Sequence, residues 1–482
     1  MTWSDKVTER PAVSANRVLE FNPCLATDSY KATHARQYPK GTTKIYSYFE
    51  SRGKPDSWSD EVVFFGLQYM LSRLVGSIVT KQHVQEAKEI WAMHFGNDEL
   101  FNYDGWMHIV NSHGGKLPVS IKAIPEGTVV PTRNVLMTIE NTDPRCFWLT
   151  NWLETYLVQA WYPSTVATQS REMKKILLQG LNLTGDPSGL PFKLHDFGFR
   201  GVTSYEQAGI GGAAHLVNFQ GTDTMAGIVL ARQFYEAKMP GYSIPASEHS
   251  TITSWGKENE VEAFRNMLDI YPKGLVACVS DSFDIIKACK LLWGGALKEK
   301  VLARDGTLVV RPDSGEPVET VLAVIEALGS AFGFTKNAKG FKVLPSQIRM
   351  IQGDGIDFET MKKVVENLAN NGWSIDNIAF GSGGGLLQKV NRDTLQFAFK
   401  CSAIDGEYEG ETFSREVFKD PITSSAKKSK HGRLALIRDN NGKFQTVSEL
   451  VAQGRDELRE VFRDGELLEK STFDEIKTRA IL

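Results

Sequence analysis

Apolar and polar residues alternate along this chain in two rhythms, and the change between them falls near residue 160. In the first part, Lys44-Ile45-Tyr46-Ser47-Tyr48-Phe49 has the period of a strand, and β-branched runs at Val119 to Ile124 and Val135 to Ile139 are separated by Pro and Gly turns. Val63, Leu67, Met70, Leu71 and Leu74 recur at helical spacing behind Ser59, a candidate cap. Thr80 is placed to cap a second helix through Val84, Ala87, Ile90 and Trp91. An aromatic helix is predicted over 146–161, with Phe147, Trp148, Trp152 and Tyr156. Residues 21–160 read as mixed α+β, behind a polar segment 1–20 that is expected to be poorly ordered.

From 161 to 394, short apolar runs each lead into a polar cluster, with helical stretches between them. The runs are Leu194-His195-Asp196, Val217-Asn218-Phe219 before Asp223, Ile244-Pro245-Ala246 before Glu248-His249, and Val276 to Val279 before Asp281. Leu308 to Val310 before Arg311, Met350-Ile351 before Asp354, and Ile378 to Phe380 before a glycine turn complete the set. Taking Asp196, Asp223, His249, Asp281, Arg311, Asp354 and Gly383 as markers, the gaps are 27, 26, 32, 30, 43 and 29 residues. About 30 residues is one βα unit, so the fold class is α/β, with a (β/α) barrel of about seven units over 161–394 preferred to an open doubly wound sheet. Beyond it, Leu395 to Ala403, Leu434 to Arg438 and Phe444 to Val447 read as strands, with hairpin signals at Asn441-Gly442 and Asp464-Gly465. Segment 395–482 is expected to return to the N-terminal sheet, making one discontinuous α+β domain with 21–160.

Composition narrows the classes. With 55 basic and 58 acidic residues in 482, the formal charge of −3 gives no reason to expect nucleic acid or an anionic membrane as partner. The five cysteines are scattered and never spaced C-x-x-C, which argues against a disulfide framework or a zinc site and fits a reducing compartment. The N-terminus lacks the apolar run of a secretory signal, and Asn151, Glu154 and Gln159 interrupt the most apolar span. A soluble cytoplasmic protein is the expectation.

The candidate chemistry sits at the run ends. Asn377 to Lys389 reads as a strand, a turn with four glycines in five residues, and a helix from near Leu386, the outline of a phosphate cradle or of a plain tight turn. Arg200 and Arg311 suit a substrate with more than one phosphate. Asp223, Asp281, Asp313 and Asp354 would repel phosphate, so they must serve sugar hydroxyls, magnesium or a developing positive charge, unless they only cap helices. Together these suit transfer at the anomeric carbon of an activated ribose, with Asp313 and Asp354 on ribose hydroxyls. Gly209 to Ala214 fits a loose G-x-G-x-x-A, but polar Ser204 to Gln207 precedes it rather than a strand, and no G-x-x-x-x-G-K-[ST] occurs.

Over nearly its whole length the chain resembles the nicotinamide phosphoribosyltransferases. The segments that carry the resemblance are Thr27-Asp28-Ser29-Tyr30-Lys31, His195-Asp196-Phe197-Gly198 with Arg200-Gly201, Gly221-Thr222-Asp223-Thr224 and Glu248-His249-Ser250-Thr251-Ile252-Thr253. Arg311-Pro312-Asp313-Ser314-Gly315, Gln352-Gly353-Asp354-Gly355 and Gly381-Ser382-Gly383-Gly384-Gly385 follow in the family's order. The resemblance implies the type II phosphoribosyltransferase fold and a reaction of nicotinamide with phosphoribosyl pyrophosphate, giving nicotinamide mononucleotide and pyrophosphate in NAD salvage. Magnesium would be bound mainly through pyrophosphate, and ATP would be a coupled substrate binding in the phosphoribosyl site.

The resemblance also implies site residues. Phe197 and Tyr30, the latter from the partner subunit of a homodimer, would sandwich the pyridine ring, and Asp223 would accept from the carboxamide NH2. His249, oriented by Asp281, would be phosphorylated by ATP, and Asp313 joins them as a catalytic candidate. Arg200 and Arg311 would take pyrophosphate oxygens; Gly353, Asp354, Gly383, Gly384 and Arg392 would hold the nucleotide. Arg52, Lys400, Lys419 and Lys427 match basic residues that reach the phosphates from the partner. Two positions depart from the family: Phe199 stands where Tyr is frequent, and Ala277 where a close relative has Ser, leaving Arg311 for the amide oxygen. The rivals are a nicotinate enzyme, against which Asp223 argues, a sugar-phosphate aldolase, for which no run end offers a lysine, and a non-catalytic nucleotide sensor.

Overall fold

The structure is a computed structural model that describes residues 20–54, 57–421 and 428–482. The 1–20 segment lies outside the described residues except for Glu20. Apolar side chains segregate into two large buried clusters, one around the N- and C-terminal segments and one around the parallel strands.

The first cluster is built on a seven-stranded antiparallel sheet in the order Glu411–Glu416, Phe397–Tyr408, Thr42–Ser51, Val135–Asn141, Val119–Ala123, Arg459–Arg463, Glu466–Leu467. Both ends of the chain contribute to it: Phe49 lies opposite Phe399, and Phe462 opposite Ile121. Thr42–Ser51 is central and buried on both faces from Ile45 onward, so its alternation does not separate core from solvent.

Three local expectations change. Residues 61–63 form a short strand, and the helix starts only at Leu67–Gly76. Gly66 precedes it with φ 101°, and a Cβ there would come within 2.4 Å of the Pro163 ring. Ser59 does not cap this helix; its hydroxyl bonds Glu61 O and Glu172, while the buried Glu126 carboxylate accepts from the N–H groups of Gly66 (3.0 Å) and Gln68 (2.5 Å). The Thr80 cap holds, on helix Lys81–Phe95. The aromatic segment is helix Leu149–Leu157, running through a 3-10 turn into the long helix Trp161–Thr184.

The second cluster surrounds a six-stranded parallel sheet in the order Gly221–Thr222, Leu194–Asp196, Ile378–Ser382, Ile348–Gln352, Asp305–Arg311, Lys273–Val279. Segment 242–246 links its two edges, since Tyr242 bridges Gly221 and Ala246 bridges Ala277, both in parallel. The expected strand at Val217-Asn218-Phe219 is instead the turn after helix Tyr205–Leu216, and Ile244-Pro245-Ala246 makes single bridges rather than a strand. Ala277, Val309, Ile351 and Ala379 from four of the strands, with Ile244 and with Phe197 just past Leu194–Asp196, form a small separate apolar cluster, as a side-chain layer inside a curled parallel sheet would.

The Gly209 to Ala214 stretch lies inside helix Tyr205–Leu216. A Cβ at Gly212 would sit 3.1 Å from Gly227 Cα of helix Met225–Tyr235, so these glycines let two helices pack closely and do not form a nucleotide turn. No helix among the described residues is long and apolar enough to cross a membrane.

Candidate functional site

Because all six strands run the same way, their carboxyl ends meet at one mouth. Phe197 follows the first of them, its N–H donating to Ser382 O at 2.9 Å. Its ring lies against Gly381, where a Cβ would come within 1.9 Å. Any side chain at 381 would displace Phe197. Gly385 is equally constrained, its Cβ meeting Ile356 O at 2.5 Å, whereas Gly383 and Gly384 face the mouth. The helix after this turn is Gly384–Leu387, two residues earlier than expected.

The mouth holds a cavity of about 800 Å³. It brings together ten residues named from sequence: Phe197, Arg200, Asp223, His249, Arg311, Asp313, Gly353, Asp354, Gly383 and Gly384. Asp281 stands directly behind His249.

Two histidine–aspartate pairs shape it. Asp223 Oδ1 accepts from His195 Nε2 at 2.9 Å and from the Ser243 hydroxyl. Burial works against its ionisation, but these bonds and nearby Arg311 outweigh it and hold the carboxyl below its ordinary range. Asp281 Oδ1 accepts from His249 Nε2 at 3.0 Å, while Oδ2 accepts from the Asp313 N–H (2.8 Å) and the Ser314 hydroxyl (2.5 Å). Here too burial opposes the charge, and the three donors overcome it. In the neutral His249 ring with Nε2 donating to Asp281, Nδ1 is the nitrogen that carries the lone pair, and it lies 3.9 Å from Asp313 Oδ2.

The guanidinium groups are available. Arg311 Nε lies 3.8 Å from Asp313 Oδ1, too far for a hydrogen bond, and has no other partner among the described residues. Arg200, on the 3-10 turn Phe199–Gly201, is exposed and lines the cavity. Asp196, a marker and part of a resemblance segment in the sequence but given no role there, is fully buried; it accepts from the Gly198 N–H at 2.7 Å, and burial pushes its pKa up to about 6. It shapes the turn beneath Phe197 rather than the cavity surface.

Tyr30, Arg52, Arg392, Lys400 and Lys419 do not line the cavity. Tyr30 is 58% exposed on the 3-10 helix Ser29–Arg36, edge-on to His34. Arg52 Nε bonds Glu50 at 3.3 Å, Arg392 pairs with Asp393 at 3.5 Å, and the Lys400 ammonium donates to Phe399 O. Burial lowers the Lys400 pKa, and although Glu154 counters this, Arg52, Arg392 and Lys31 add to it, which marks a shared basic neighbourhood. Lys419 lies in the C-terminal segment, its N–H donating to Ser429 Oγ at 2.8 Å. Lys427 lies outside the described residues.

Sequence reasoning missed His195 and Ser243 as the partners of Asp223, and Glu248 and Ser250 in the lining. The signal for His195 was its position beside Asp196 at a run end; nothing in the sequence pointed to Ser243.

The chain matches two family models, the nicotinate phosphoribosyltransferase family over residues 192–466 and the nicotinamide phosphoribosyltransferase N-terminal domain over residues 22–121. Its curated relatives include a nicotinamide phosphoribosyltransferase from Xanthomonas campestris, 48% identical over 95% of this chain and 98% of that one. Another, from Acinetobacter baylyi, is 35% identical over 95% of this chain and 97% of that one. Among solved structures, nicotinate-nucleotide pyrophosphorylase from Pyrococcus furiosus superposes with a TM-score of 0.57 at 15% identity, covering 96% of this chain and 97% of that one. That likeness speaks to the fold.

Proposed function

The chain belongs to the nicotinamide phosphoribosyltransferase family, and from that premise we infer how its cavity performs the family's reaction. The enzyme transfers the phosphoribosyl group of phosphoribosyl pyrophosphate to nicotinamide, forming nicotinamide mononucleotide and pyrophosphate in NAD salvage. Its parallel sheet we read as a seven-position barrel, with segment 242–246 as the seventh position between the two edge strands.

The observation that carries the reading is Asp223. Its Oδ1 is occupied by His195 and Ser243, so Oδ2 remains to accept from a carboxamide NH2 on a ring stacked on Phe197. A carboxylate there repels nicotinate, which has no donor to offer. Arg200, Arg311 and the Gly383–Gly384 turn would bind the phosphates; Asp313 and Asp354 face the ribose and the cation that develops as pyrophosphate leaves. The oxygen donors of Asp313 and Asp354 also suit magnesium, which would neutralise charge on the pyrophosphate.

His249 supports ATP coupling. The Nδ1 lone pair attacks the γ-phosphorus, the bond to the bridging oxygen breaks, and ADP leaves with those electrons. The proton on Nε2 stays hydrogen-bonded to Asp281, which balances the positive charge that builds on the ring. Tyr30, Arg52, Arg392, Lys400 and Lys419 would complete a neighbouring site in a homodimer, since none of them lines the cavity of its own chain and Arg52 and Arg392 share the neighbourhood of Lys400. A cytoplasmic setting fits this chemistry.

The experiment is a competition assay with phosphoribosyl pyrophosphate, magnesium and equal nicotinamide and nicotinate, in wild type and Asp223→Asn. Nicotinamide mononucleotide from the wild type, with the preference eroded about 10- to 100-fold in the variant, is the expected result. Nicotinate mononucleotide from the wild type would overturn the role of Asp223. For the dimer, mixing inactive Asp313→Ala and Lys400→Ala chains should restore activity; no recovery from chains shown to exchange subunits would refute a shared site.

A further inference from the structure

Outside the catalytic cavity, one group of side chains has a donor set that the reaction does not use. His108 and His113 on helix Tyr103–His113 meet Asp143 and Cys146 on the turn that follows strand Val135–Asn141. One ligand atom from each of the four lies within 4.8 Å of every other. We propose that His108, His113, Asp143 and Cys146 form a structural zinc site.

Local structure explains the convergence. His108 and His113 are spaced H-x4-H, inside the range common for zinc-binding histidines. Five residues would ordinarily carry the second histidine past the first on a helix. His113, however, is the last helical residue, and Gly114 follows with φ 60°, so the backbone turns there. The two rings end edge to face with centroids 5.4 Å apart. Asp143 caps the 3-10 turn Pro144–Cys146, in which side chains three residues apart eclipse. Asp143-x-x-Cys146 is thus built as a C-x-x-C turn would be, with a carboxylate in the place of the first thiolate. The absence of C-x-x-C spacing, which argues against zinc in the sequence, does not apply to such a turn.

The hydrogen bonds point the same way. Both Nε2 atoms lie 2.7 Å from one oxygen, Asp143 Oδ2, so two histidines converge on a single acceptor. The other carboxylate oxygen accepts from the Arg145 N–H at 2.8 Å, and His108 Nδ1 lies 3.0 Å from Ser112 Oγ. These outer contacts fix the ligand orientations in the manner usual for metal-bound imidazole and carboxylate. A tetrahedral zinc with bonds of about 2.0–2.3 Å needs ligand atoms about 3.3–3.8 Å apart, an outward shift of under about 1 Å at the two 2.7 Å contacts and an inward one of no more than about 1.5 Å for any pair near the 4.8 Å limit. Two neutral imidazoles, one carboxylate and one thiolate balance the dication. Four protein ligands make a closed site, hence structural rather than catalytic. Cys146 is fully buried and His113 is 26% exposed, so the ion would enter from the histidine side.

The test uses the full-length chain, stripped with chelator, reloaded with Zn²⁺ and dialysed, with metal counted by mass spectrometry in wild type, His113→Ala and Cys146→Ser. About one zinc per wild-type chain, lost in both variants, is expected, with a Tm rise of about 3 °C or more on loading that neither variant shows. Cobalt in place of zinc should give tetrahedral visible bands and a thiolate charge-transfer band that Cys146→Ser removes. Nicotinamide transfer below the Tm should not change with metal loading. Should Cys146→Ser fail to fold, His113→Ala, altered at the most exposed ligand, still decides the matter. Zinc below about 0.1 per reloaded wild-type chain, or equal zinc in wild type and His113→Ala, would overturn the proposal, the second by placing the ion elsewhere.

Discussion

The two walls of the cavity carry the same pair of residue types with opposite polarity. On one, His195 is the sheltered partner (14% exposed) and Asp223 is offered to the cavity (48%). On the other, Asp281 is sheltered (3%) and His249 is offered (46%). Both pairs are a hydrogen bond from Nε2 to a carboxylate, at 2.9 and 3.0 Å. What differs is the side chain that solvent and ligand can reach, and that decides the chemistry. An exposed carboxylate fixed by a histidine can only accept, which suits recognition of an amide. An exposed imidazole fixed by a carboxylate keeps one nitrogen lone pair, which suits attack on phosphorus.

The largest effect should come from removing the offered histidine. His249→Ala is expected to abolish acid-labile phosphate on the enzyme and the whole ATP-dependent increment in rate, while transfer without ATP stays within about threefold. Asp281→Asn should cut phosphoenzyme formation about 100-fold or more, since the imidazole loses both its orientation and its counter-charge. Phosphorylation undiminished in Asp281→Asn would break the comparison, because the sheltered carboxylate would then be dispensable.

A smaller but wider effect is expected at Gly381, where the walls meet beneath Phe197. Gly381→Ala places a methyl within 1.9 Å of the Phe197 ring and forces it to move. Overpacking of this kind costs about 1–3 kcal/mol. The KM for nicotinamide should rise about 10-fold, leaving phosphorylation by ATP alone unchanged. If both fell together, the two walls could not be treated as separate devices.

Smaller still is the change at the sheltered histidine. His195→Gln keeps a donor to Asp223 and should leave the preference for nicotinamide over nicotinate within about threefold. His195→Ala should erode it about 3- to 10-fold, and have little further effect on an Asp223→Asn background, because paired residues are not additive. Equal losses from Gln and Ala would mean that ring packing against Phe197, at 5.1 Å between centroids, matters more than the hydrogen bond.

Much of this was legible in the chain, for a physical reason. Parallel strands buried on both faces read as apolar runs, and the polar residues at the end of each run are those the mouth collects; Arg311, Asp313 and Asp354 follow that rule. It failed at Val217-Asn218-Phe219, where the apolar run is a helix end packed into the core and the true strand, Gly221–Thr222, has no apolar signature. It could not find Ser243, whose bond to Asp223 spans 20 residues that include the whole of helix Met225–Tyr235. Tyr30, Arg52, Arg392, Lys400 and Lys419 came from the family resemblance alone, and one chain does not bring them to its own cavity. Glu126, capping a helix 58 residues away in sequence, shows the same limit: local spacing carries local bonds only.

The least effect, and the one that tests sheltering itself, lies in acid stability. Asp223 and Asp281 both have folded pKa values below those of an unfolded chain, where a carboxyl titrates at about 3.9. A depressed pKa contributes stability that is fully present above the unfolded value and is lost as pH falls through the folded one. The Tm advantage of wild type over Asp281→Asn should therefore be constant above about pH 5 and shrink steadily below about pH 4. The same should hold for Asp223→Asn, with a smaller advantage, because Asp223 receives two donors at a half-exposed position and Asp281 three at a buried one. Melting curves of the three proteins across pH 3 to 7 check this. If the Asp223 variant lost more than the Asp281 variant, exposure would not rank the two pairs, and the division into a recognising wall and a reacting wall would have to rest on ligand contacts instead.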